Sequence, residues 1–202
     1  MRIDSNSELS KGEKMDNYYT VVHSKYLIYQ HQDFRTCFEN SKGLTEEYQD
    51  SINEHPEKVY AFDFDGTIAD INHRVGYIKK PYITGKRDYQ RFFEECKNDK
   101  PIEWIIDIMR MLPRENIYIL SGRNGNVIHQ SVKWLEENNV PYNKIYMRYR
   151  TNYESDEILK LRMIDNGLKE RIQWIVDDRQ RVVDMWRENG LKVLQCSKWN
   201  ES

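Results

Sequence analysis

Cysteine is scarce in this chain of 202 residues, and its three copies lie far apart at Cys37, Cys96 and Cys196. None of them forms a CxxC pair, so the sequence offers neither the spacing of a zinc knuckle nor a disulfide framework. We therefore interpret these thiols as buried or incidental groups.

Long apolar runs are missing as well. No run approaches the length of about 18 residues that a membrane-spanning helix needs, and the polar N-terminus lacks the apolar core of a signal peptide. The sequence therefore predicts a cytoplasmic protein, in the host cytoplasm if it is viral, with no membrane partner. The formal net charge is only −2, which excludes a strongly basic protein that coats nucleic acid but allows a local basic patch.

The chain changes character near residue 58. Residues 1–58 are polar and acidic, and we expect them to form an N-terminal extension, in part mobile. Within it, 18–29 favour one or two strands and 33–53 weakly favour a helix. This extension could cap a sheet edge, mediate a homodimer or bind a partner. The sequence gives no reason to prefer one of these, and the oligomeric state stays open.

Residues 59–202 alternate short β-rich runs with helical periodicity. The runs cover 59–64, 117–120, 145–147, 173–176 and 192–195, each short enough for a buried parallel strand. Apolar residues at helical spacing lie between them, and they are Ile102, Ile105, Ile106 and Met109; Ile128, Val132 and Leu135; Ile158, Leu161 and Ile164; and Val182, Val183 and Trp186. The pattern predicts one α/β domain, a Rossmann-like doubly wound parallel sheet with its ligand site at the carboxyl ends of the strands.

The residues that follow three of these strands are polar, charged or glycine. They are Asp63-Phe64-Asp65-Gly66-Thr67, Ser121-Gly122-Arg123 and Asp177-Asp178-Arg179. Four aspartates in one place need a divalent cation to offset their repulsion, and hard oxygen ligands indicate Mg²⁺. The serine, the glycine amide and the arginine supply donors for an oxyanion. Together these groups favour metal-assisted phosphoryl transfer over sugar or peptide hydrolysis.

Each motif alone has a plainer interpretation. A DxD pair is common in loops, SGR is more often a turn with a surface arginine, and DDR is more often a helix start that an aspartate caps. Their occurrence together at successive strand ends favours the catalytic interpretation.

The chain resembles the haloacid dehalogenase phosphohydrolase superfamily over about residues 59–196. The positions that carry the resemblance are Asp63 and Asp65 in the first motif, Ser121 in the second, Lys160 in the third and Asp177-Asp178 in the fourth. Within the superfamily, the run DDRQRVVDMWR from Asp177 to Arg187 is similar to the 3'-phosphatase half of phage polynucleotide kinase/phosphatase. The resemblance implies the haloacid dehalogenase fold and a Mg²⁺-dependent phosphatase.

Roles for the acidic residues follow from this resemblance and from the chemistry. Asp63 would attack phosphorus to give an aspartyl-phosphate, and Asp65 would protonate the leaving alcohol and then activate water. We expect crowding by other carboxylates to raise the pKa of Asp65. The metal would be held by the Asp63 carboxylate, the Asp65 backbone carbonyl and Asp178, with Asp177 behind them and paired with Lys160.

The remaining site candidates would hold the phosphate and its charge. Ser121 and Lys160 complete the predicted catalytic set, with Lys160 neutralising the nucleophile and the phosphate. Guanidinium groups bind phosphate oxygens in a bidentate manner, so arginines are natural substrate ligands. The predicted substrate-binding residues are Thr67, Gly122, Arg123, Arg179 and Arg74.

A small cap insert at about 70–100 would leave the site open to large substrates. Residues 72–91 interleave basic and aromatic side chains, namely Arg74, Lys79, Lys80, Lys86, Arg87 and Arg91 with Tyr77, Tyr82 and Tyr89. Such a pattern can track a phosphate backbone and stack bases, although it is also typical of a solvated loop. A second cluster of Arg148, Tyr149, Arg150 and Tyr153 could line the same opening.

The substrate is the least determined part of the prediction. No GxxxxGK[ST] phosphate loop occurs in the chain, so we expect dephosphorylation without rephosphorylation. The first hypothesis is removal of 3'-phosphates from nucleic-acid ends. The alternatives are a 5'- or 3'-nucleotidase that acts on free mononucleotides and a catalytically silent module that binds nucleic acid.

Overall fold

The computed structural model of this chain describes residues 18–22, 26–31, 55–79, 87–165 and 167–197. The helix predicted over 33–53 lies outside these ranges, as do Cys37 and the cap residues Lys80, Tyr82 and Lys86. Cys96 and Cys196 are free thiols, in agreement with the prediction. Every helix within the described ranges is too short or too polar to traverse a lipid bilayer.

Strands and helices alternate along the chain. The strands are β1 Tyr18–Val22, β2 Tyr26–His31, β3 Val59–Phe62, β4 Ala69–Asp70, β5 Lys100–Pro101, β6 Ile117–Asn124, β7 Lys144–Arg148, β8 Ile172–Asp177 and β9 Val193–Gln195. The helices are α1 Asn72–Lys79, α2 Tyr89–Glu94, α3 Glu103–Arg110, α4 Ile128–Glu137, α5 Asp156–Met163 and α6 Gln180–Glu188. Short 3₁₀ turns cover Glu95–Asn98, Arg114–Asn116, Gly125–Val127 and Lys169–Arg171.

The main sheet has the strand order β1-β2-β7-β6-β3-β8-β9. Its five strands from β7 to β9 are parallel, and β3 lies in the middle of them. The chain first extends the sheet from β3 towards β6 and β7 and later returns to add β8 on the other side. This reversal opens a crevice at the carboxyl end of β3, and it confirms the predicted doubly wound α/β fold.

Helices cover both faces of the parallel strands. On one face α3 and α4 pack against side chains such as Phe62 and Ile119, and on the other α5 and α6 pack against Ala61 and Leu120. Neighbouring residues of a strand point to opposite faces, which is why these strands are apolar at nearly every position. The packing fixes the strand ends that carry the polar residues.

The N-terminal extension contributes to the same sheet. Strands β1 and β2 form an antiparallel hairpin, and β2 pairs antiparallel with β7, with Leu27 opposite Met147. The hairpin therefore covers the β7 edge, which was one of the three roles considered for this segment. A homodimer through the extension stays a prediction.

A small cap separates β3 from α3. Strands β4 and β5 pair at its base, and α1 and α2 enclose a small apolar core of Ile71, Val75 and Phe92. The cap insert expected at about 70–100, and its openness to large substrates, stay predictions.

The buried face of α5 differs from the prediction at one position. Ile158, expected in the apolar stripe, is 48% exposed, whereas Leu159, Lys160 and Met163 are buried. The other two expected residues, Leu161 and Ile164, do pack against the core. Lys160 turns inward to carboxylates at the strand ends. Strand β6 also runs further than expected, to Asn124, so Ser121 and Arg123 lie within the strand rather than after it.

Candidate active site

Three carboxylates meet where β3 and β8 end side by side. Asp63 directly follows β3, Asp177 ends β8, and Asp178 comes next in the chain. The Asp63 amide donates to the Val176 carbonyl at 2.9 Å, which ties the two strand ends together. One oxygen from each of the three carboxylates lies within 4.8 Å of the others, and all three residues are buried.

Lys160 lies against this cluster from α5. Its Nζ donates to Asp63 Oδ1 at 2.6 Å and to Asp177 Oδ2 at 2.8 Å. Although burial opposes the charged amine, Asp177 and Asp63 raise the pKa of Lys160 above its usual value. Three carboxylates against one ammonium leave two negative charges in a buried place, which is the charge that a divalent cation would offset.

The crowding of the carboxylates is reflected in their pKa values. Burial raises the pKa of Asp63 well above its usual value, with Lys160 opposing it and with Asp177 and Asp178 adding to it. Burial and the neighbouring Asp177 raise the pKa of Asp178 to about 7. Carboxyl groups in such a state gain from a bound cation, because the cation favours their charged form.

Asp177 and Asp178 differ in what their oxygens already contact. Asp177 Oδ2 accepts from Lys160 and, at 3.3 Å, from Trp186 Nε1, while its Oδ1 accepts from the Arg179 amide at 3.2 Å. Asp178 Oδ2 is buried and has no hydrogen-bond partner among the described residues. The residues present therefore fit a hard divalent cation, with Asp178 as the group free to bind it.

Gly66 allows the backbone to approach this cluster. Its φ is +87°, and a Cβ there would lie 2.8 Å from Asp178 Cγ and closer still to Oδ2. Only a residue without a side chain fits both the turn and the close contact.

Asp65 lies apart from the three carboxylates and faces two arginines. Its Oδ1 accepts from Arg123 Nε at 2.6 Å and from Arg74 at 2.7 Å. Burial alone would raise the pKa of Asp65, but Arg123 and Arg74 outweigh burial and lower the pKa below its usual value. The prediction that crowding by carboxylates raises this pKa was wrong, because the near neighbours of Asp65 are guanidinium groups.

Arg74 and Arg123 are buried rather than exposed to an incoming phosphate. Arg74 donates twice to Asp99 at 2.7 Å, and Arg123 donates to Asp99 at 2.6 Å and to Ser131 Oγ at 3.2 Å. Their contacts hold Asp65 in place, a task that the sequence reasoning did not assign to them. Their predicted role in binding substrate stays a prediction.

Gly122 and Arg179 surround a further acid, Asp156, at the start of α5. Asp156 accepts hydrogen bonds from Arg148 and Arg179, and a Cβ at Gly122 would lie 2.6 Å from its Oδ1. Arg179 contacts Asp156 and keeps 24% of its own side chain exposed. Among the three predicted arginine ligands, it is the one that solvent reaches.

Ser121 and Thr67 are fully buried. The Ser121 hydroxyl oxygen accepts from the Arg123 amide at 3.2 Å, and Thr67 Oγ1 lies 3.6 Å from Cys196 Sγ. The structure places both residues in the loops and strand ends around the acids, and their predicted roles stay predictions.

The two basic and aromatic clusters are only partly surface features. In the first, Arg74 is buried and Arg91 packs over the Tyr77 ring at 4.5 Å. In the second, Arg148 is buried and donates to the Gly122 carbonyl at 3.0 Å. Tyr153 is 89% exposed. It lies in the connection that leads from β7 into the helix of Lys160.

Asp99 and Asp156 were not predicted as site residues. Asp156 precedes Lys160 by four residues, so a common helix face could have indicated it. Asp99 lies in a polar stretch between Lys97 and Lys100 that is typical of a solvated turn, and no sequence signal distinguishes it.

Comparison with known proteins identifies the family. The family model described as polynucleotide kinase PNKP phosphatase domain matches residues 57–200. This match confirms the resemblance to haloacid dehalogenase phosphatases and, within them, to the phosphatase domains of PNKP.

Two solved structures share the fold. A chain of a Pnkp1/Rnl/Hen1 RNA repair complex is similar with a TM-score of 0.57 and 22% identity, covering 71% of this chain and 43% of that chain. A chain of a second Pnkp1/Rnl/Hen1 complex gives a TM-score of 0.59 and 20% identity, covering 84% of this chain and 53% of that chain. This chain thus spans about half the length of the proteins that it matches.

Proposed function

We propose that this chain, which belongs to the family of polynucleotide kinase PNKP phosphatase domains, is a Mg²⁺-dependent phosphomonoesterase that removes 3'-phosphates from nucleic-acid ends. One observation carries the proposal. Asp63 lies in a buried group of three carboxylates beside Lys160, and Asp65 stands two residues further on, held by two arginines. The two aspartates thus have different electrostatic surroundings. We assign Asp63 as the nucleophile and Asp65 as the group that carries the proton.

The first step transfers the phosphoryl group to Asp63. A carboxylate oxygen of Asp63 attacks phosphorus, the bond from phosphorus to the ester oxygen breaks, and the leaving 3'-oxygen takes a proton from Asp65. The pKa of Asp65 is lowered while it faces only the arginines. A phosphate bound beside it adds negative charge, which raises that pKa and lets the carboxyl group hold the proton.

The second step releases phosphate. Asp65, now ionised, accepts a proton from a water molecule whose oxygen attacks the aspartyl-phosphate, and the bond between phosphorus and Asp63 breaks. Lys160, at 2.6 Å from Asp63 Oδ1, offsets negative charge on the nucleophile in both steps. Asp65 is then protonated by the water that it activated. It releases this proton to solvent when phosphate leaves, because the arginines again lower its pKa.

Asp63, Asp178 and the Asp65 carbonyl would hold the metal. When bound, Mg²⁺ supplies a Lewis acid that stabilises charge on the phosphoryl oxygens. The free Oδ2 of Asp178 supports this assignment, and the three donors to Asp177 support a role for Asp177 in orienting Lys160.

Nucleic-acid ends are the proposed substrate because of family membership and of two exposed side chains. Arg179, which follows Asp178, keeps 24% of its side chain exposed, and the exposed Tyr153 lies three residues before Asp156. These exposed side chains support a substrate larger than a phosphate group. One of the similar solved chains comes from an RNA repair complex, which is consistent with a nucleic-acid substrate.

A substrate panel tests the proposal. Phosphate release is measured with 3'-phosphate DNA, 3'-phosphate RNA, 2',3'-cyclic ends and 3'- and 5'-mononucleotides, each with Mg²⁺ and with a chelator. We expect turnover of 3'-phosphate oligonucleotides with Mg²⁺ and none in the chelator. Equal turnover of mononucleotides would favour a nucleotidase, full activity in the chelator would refute the metal mechanism, and binding without turnover would indicate a silent module.

A further inference from the structure

We propose that Asp99, a residue of the cap, is a positioning residue that acts through Arg74 and Arg123 to orient Asp65, and that His73 supports it in this task. The inference rests on the proposed function, in which Asp65 moves the proton. Asp99 itself touches neither the nucleophile nor the three-carboxylate cluster.

The side chain of Asp99 is fully buried and accepts from three cationic or polar groups. Its Oδ1 accepts from Arg74 Nε at 2.7 Å and lies 2.9 Å from His73 Nε2. Its Oδ2 accepts from Arg74 at 2.7 Å and from Arg123 at 2.6 Å. Each oxygen of Asp99 thus contacts two nitrogen atoms, and these four contacts fix the carboxylate in one orientation.

Arg74 and Arg123 each connect Asp99 to Asp65. Arg74 donates to Asp99 and, at 2.7 Å, to Asp65 Oδ1, and Arg123 does the same with its Nε at 2.6 Å from Asp65. Two carboxylates and two guanidinium groups therefore form a closed, charge-balanced square. Without the Asp99 charge, two buried arginines would share one carboxylate and repel each other.

Packing leaves the arginines little freedom to compensate. The Arg74 guanidinium lies 4.3 Å from the centre of the Phe92 ring, and that of Arg123 lies 3.6 Å from the centre of the Phe64 ring. Phe92 belongs to the cap and Phe64 to the loop of the nucleophile. The square thus joins the cap to the catalytic loop.

The backbone of Asp99 is held by the main domain. Trp134 Nε1 in α4 donates to the Asp99 carbonyl at 2.8 Å. Asp99 is therefore fixed from outside the square, so it can determine where the arginines lie rather than follow them.

The consequence is a dependence on the leaving group. A nucleoside 3'-oxygen is a poor leaving group and needs the proton from Asp65, whereas p-nitrophenolate leaves without one. A loss of Asp65 orientation should slow the first step for the oligonucleotide and spare p-nitrophenyl phosphate. If Asp99 only stabilised the fold, its loss would slow the first step for both substrates alike.

The experiment compares Asp99→Asn with the wild-type protein in rapid-quench assays of the first turnover. We expect release of the oligonucleotide 3'-hydroxyl to fall about 100-fold, the lower range of a general-acid contribution, and release of p-nitrophenol to change by less than about threefold. The matched control is Asp88→Asn, another cap acid, whose Oδ1 accepts from the Arg91 amide at the start of α2 and has no contact with the square. It should keep the wild-type ratio of the two rates.

His73 provides a second test if Asp99→Asn does not fold, since 38% of its side chain is exposed. His73→Ala should slow the oligonucleotide step severalfold and selectively, and His73→Gln should restore it by donating to Asp99. Equal losses on both substrates, or wild-type rates on both, in folded Asp99→Asn would overturn the inference. If Asp99→Asn does not fold, wild-type rates in His73→Ala would overturn it. A wild-type protein inactive on both substrates would instead refute the proposed function.

Discussion

Gly66 and Asp178 lie so close together that the chain has no room for a side chain at residue 66. A Cβ at this position would come within 2.8 Å of Asp178 Cγ, and the backbone has a φ of +87°. The glycine therefore sets how near the loop of Asp63 and Asp65 approaches the acid that follows β8. This distance matters because both sides of the contact contribute to the proposed metal site.

Gly66→Ala should displace Asp178 or the loop of Asp63. A misplacement of about 1 Å costs on the order of 100-fold in rate, so we expect a loss of this size in kcat with 3'-phosphate oligonucleotide. Gly76→Ala is the control, since a Cβ at Gly76 meets no atom within 4 Å. Wild-type kcat in Gly66→Ala would contradict the account of this contact.

Asp178 gives a prediction for stability in the metal-free protein. Its folded-state pKa of about 7 lies above the unfolded value of about 3.9, so the folded protein binds this proton more tightly. Ionisation of Asp178 therefore lowers the free energy of unfolding as pH rises from about 4 to about 7. Above pH 7 this destabilisation has reached its full size. Asp178→Asn removes that cost.

In chelator at pH 8, we expect Asp178→Asn to raise the free energy of unfolding by roughly 1–3 kcal/mol, measured by denaturant titration. The gain should shrink towards pH 4. Asp177→Asn is the contrasting variant and should destabilise, because Lys160 and Trp186 would lose an ionised acceptor. Added Mg²⁺ should raise the Tm of the wild type but not of Asp178→Asn, and equal Tm shifts would refute the metal assignment.

Tyr153 should contribute to polymer binding. It is 89% exposed, and base stacking on an aromatic side chain is worth about 1–3 kcal/mol. We expect Tyr153→Ala to raise KM for 3'-phosphate oligonucleotide by roughly 5- to 150-fold and to leave p-nitrophenyl phosphate unchanged.

Met111→Ala is the control for this prediction. Met111 is 76% exposed but lies in the connection that enters the opposite, amino end of β6. It should change neither substrate, and a similar KM increase in both variants would show that Tyr153 has no specific role.

The fold and the central acids could be predicted because they depend on patterns that are local in sequence. Apolar runs alternated with helical spacing, and parallel strands bring their carboxyl ends to one edge. Asp63 and Asp177-Asp178 therefore meet as expected. The family match then confirmed the resemblance that these motifs carried.

The side-chain arrangement around Asp65 could not be predicted, because it depends on contacts between distant segments. Arg74 looked like part of a surface basic cluster but is buried between Asp65 and Asp99. One position of α5 was also wrong, since apolar periodicity favoured the exposed Ile158 and did not indicate the inward-turned Lys160 with its two ion pairs. In both places, ion pairs between distant segments decide which side chains are buried.

The nucleophile is the central claim, and one comparison tests it most directly. Phosphate release from a 3'-phosphate oligonucleotide is measured with Mg²⁺ for the wild type and for Asp63→Asn, whose amide cannot form the acyl phosphate. We predict Mg²⁺-dependent release by the wild type and a loss of at least about 10⁴-fold in Asp63→Asn. Undiminished release by a folded Asp63→Asn protein would contradict the account.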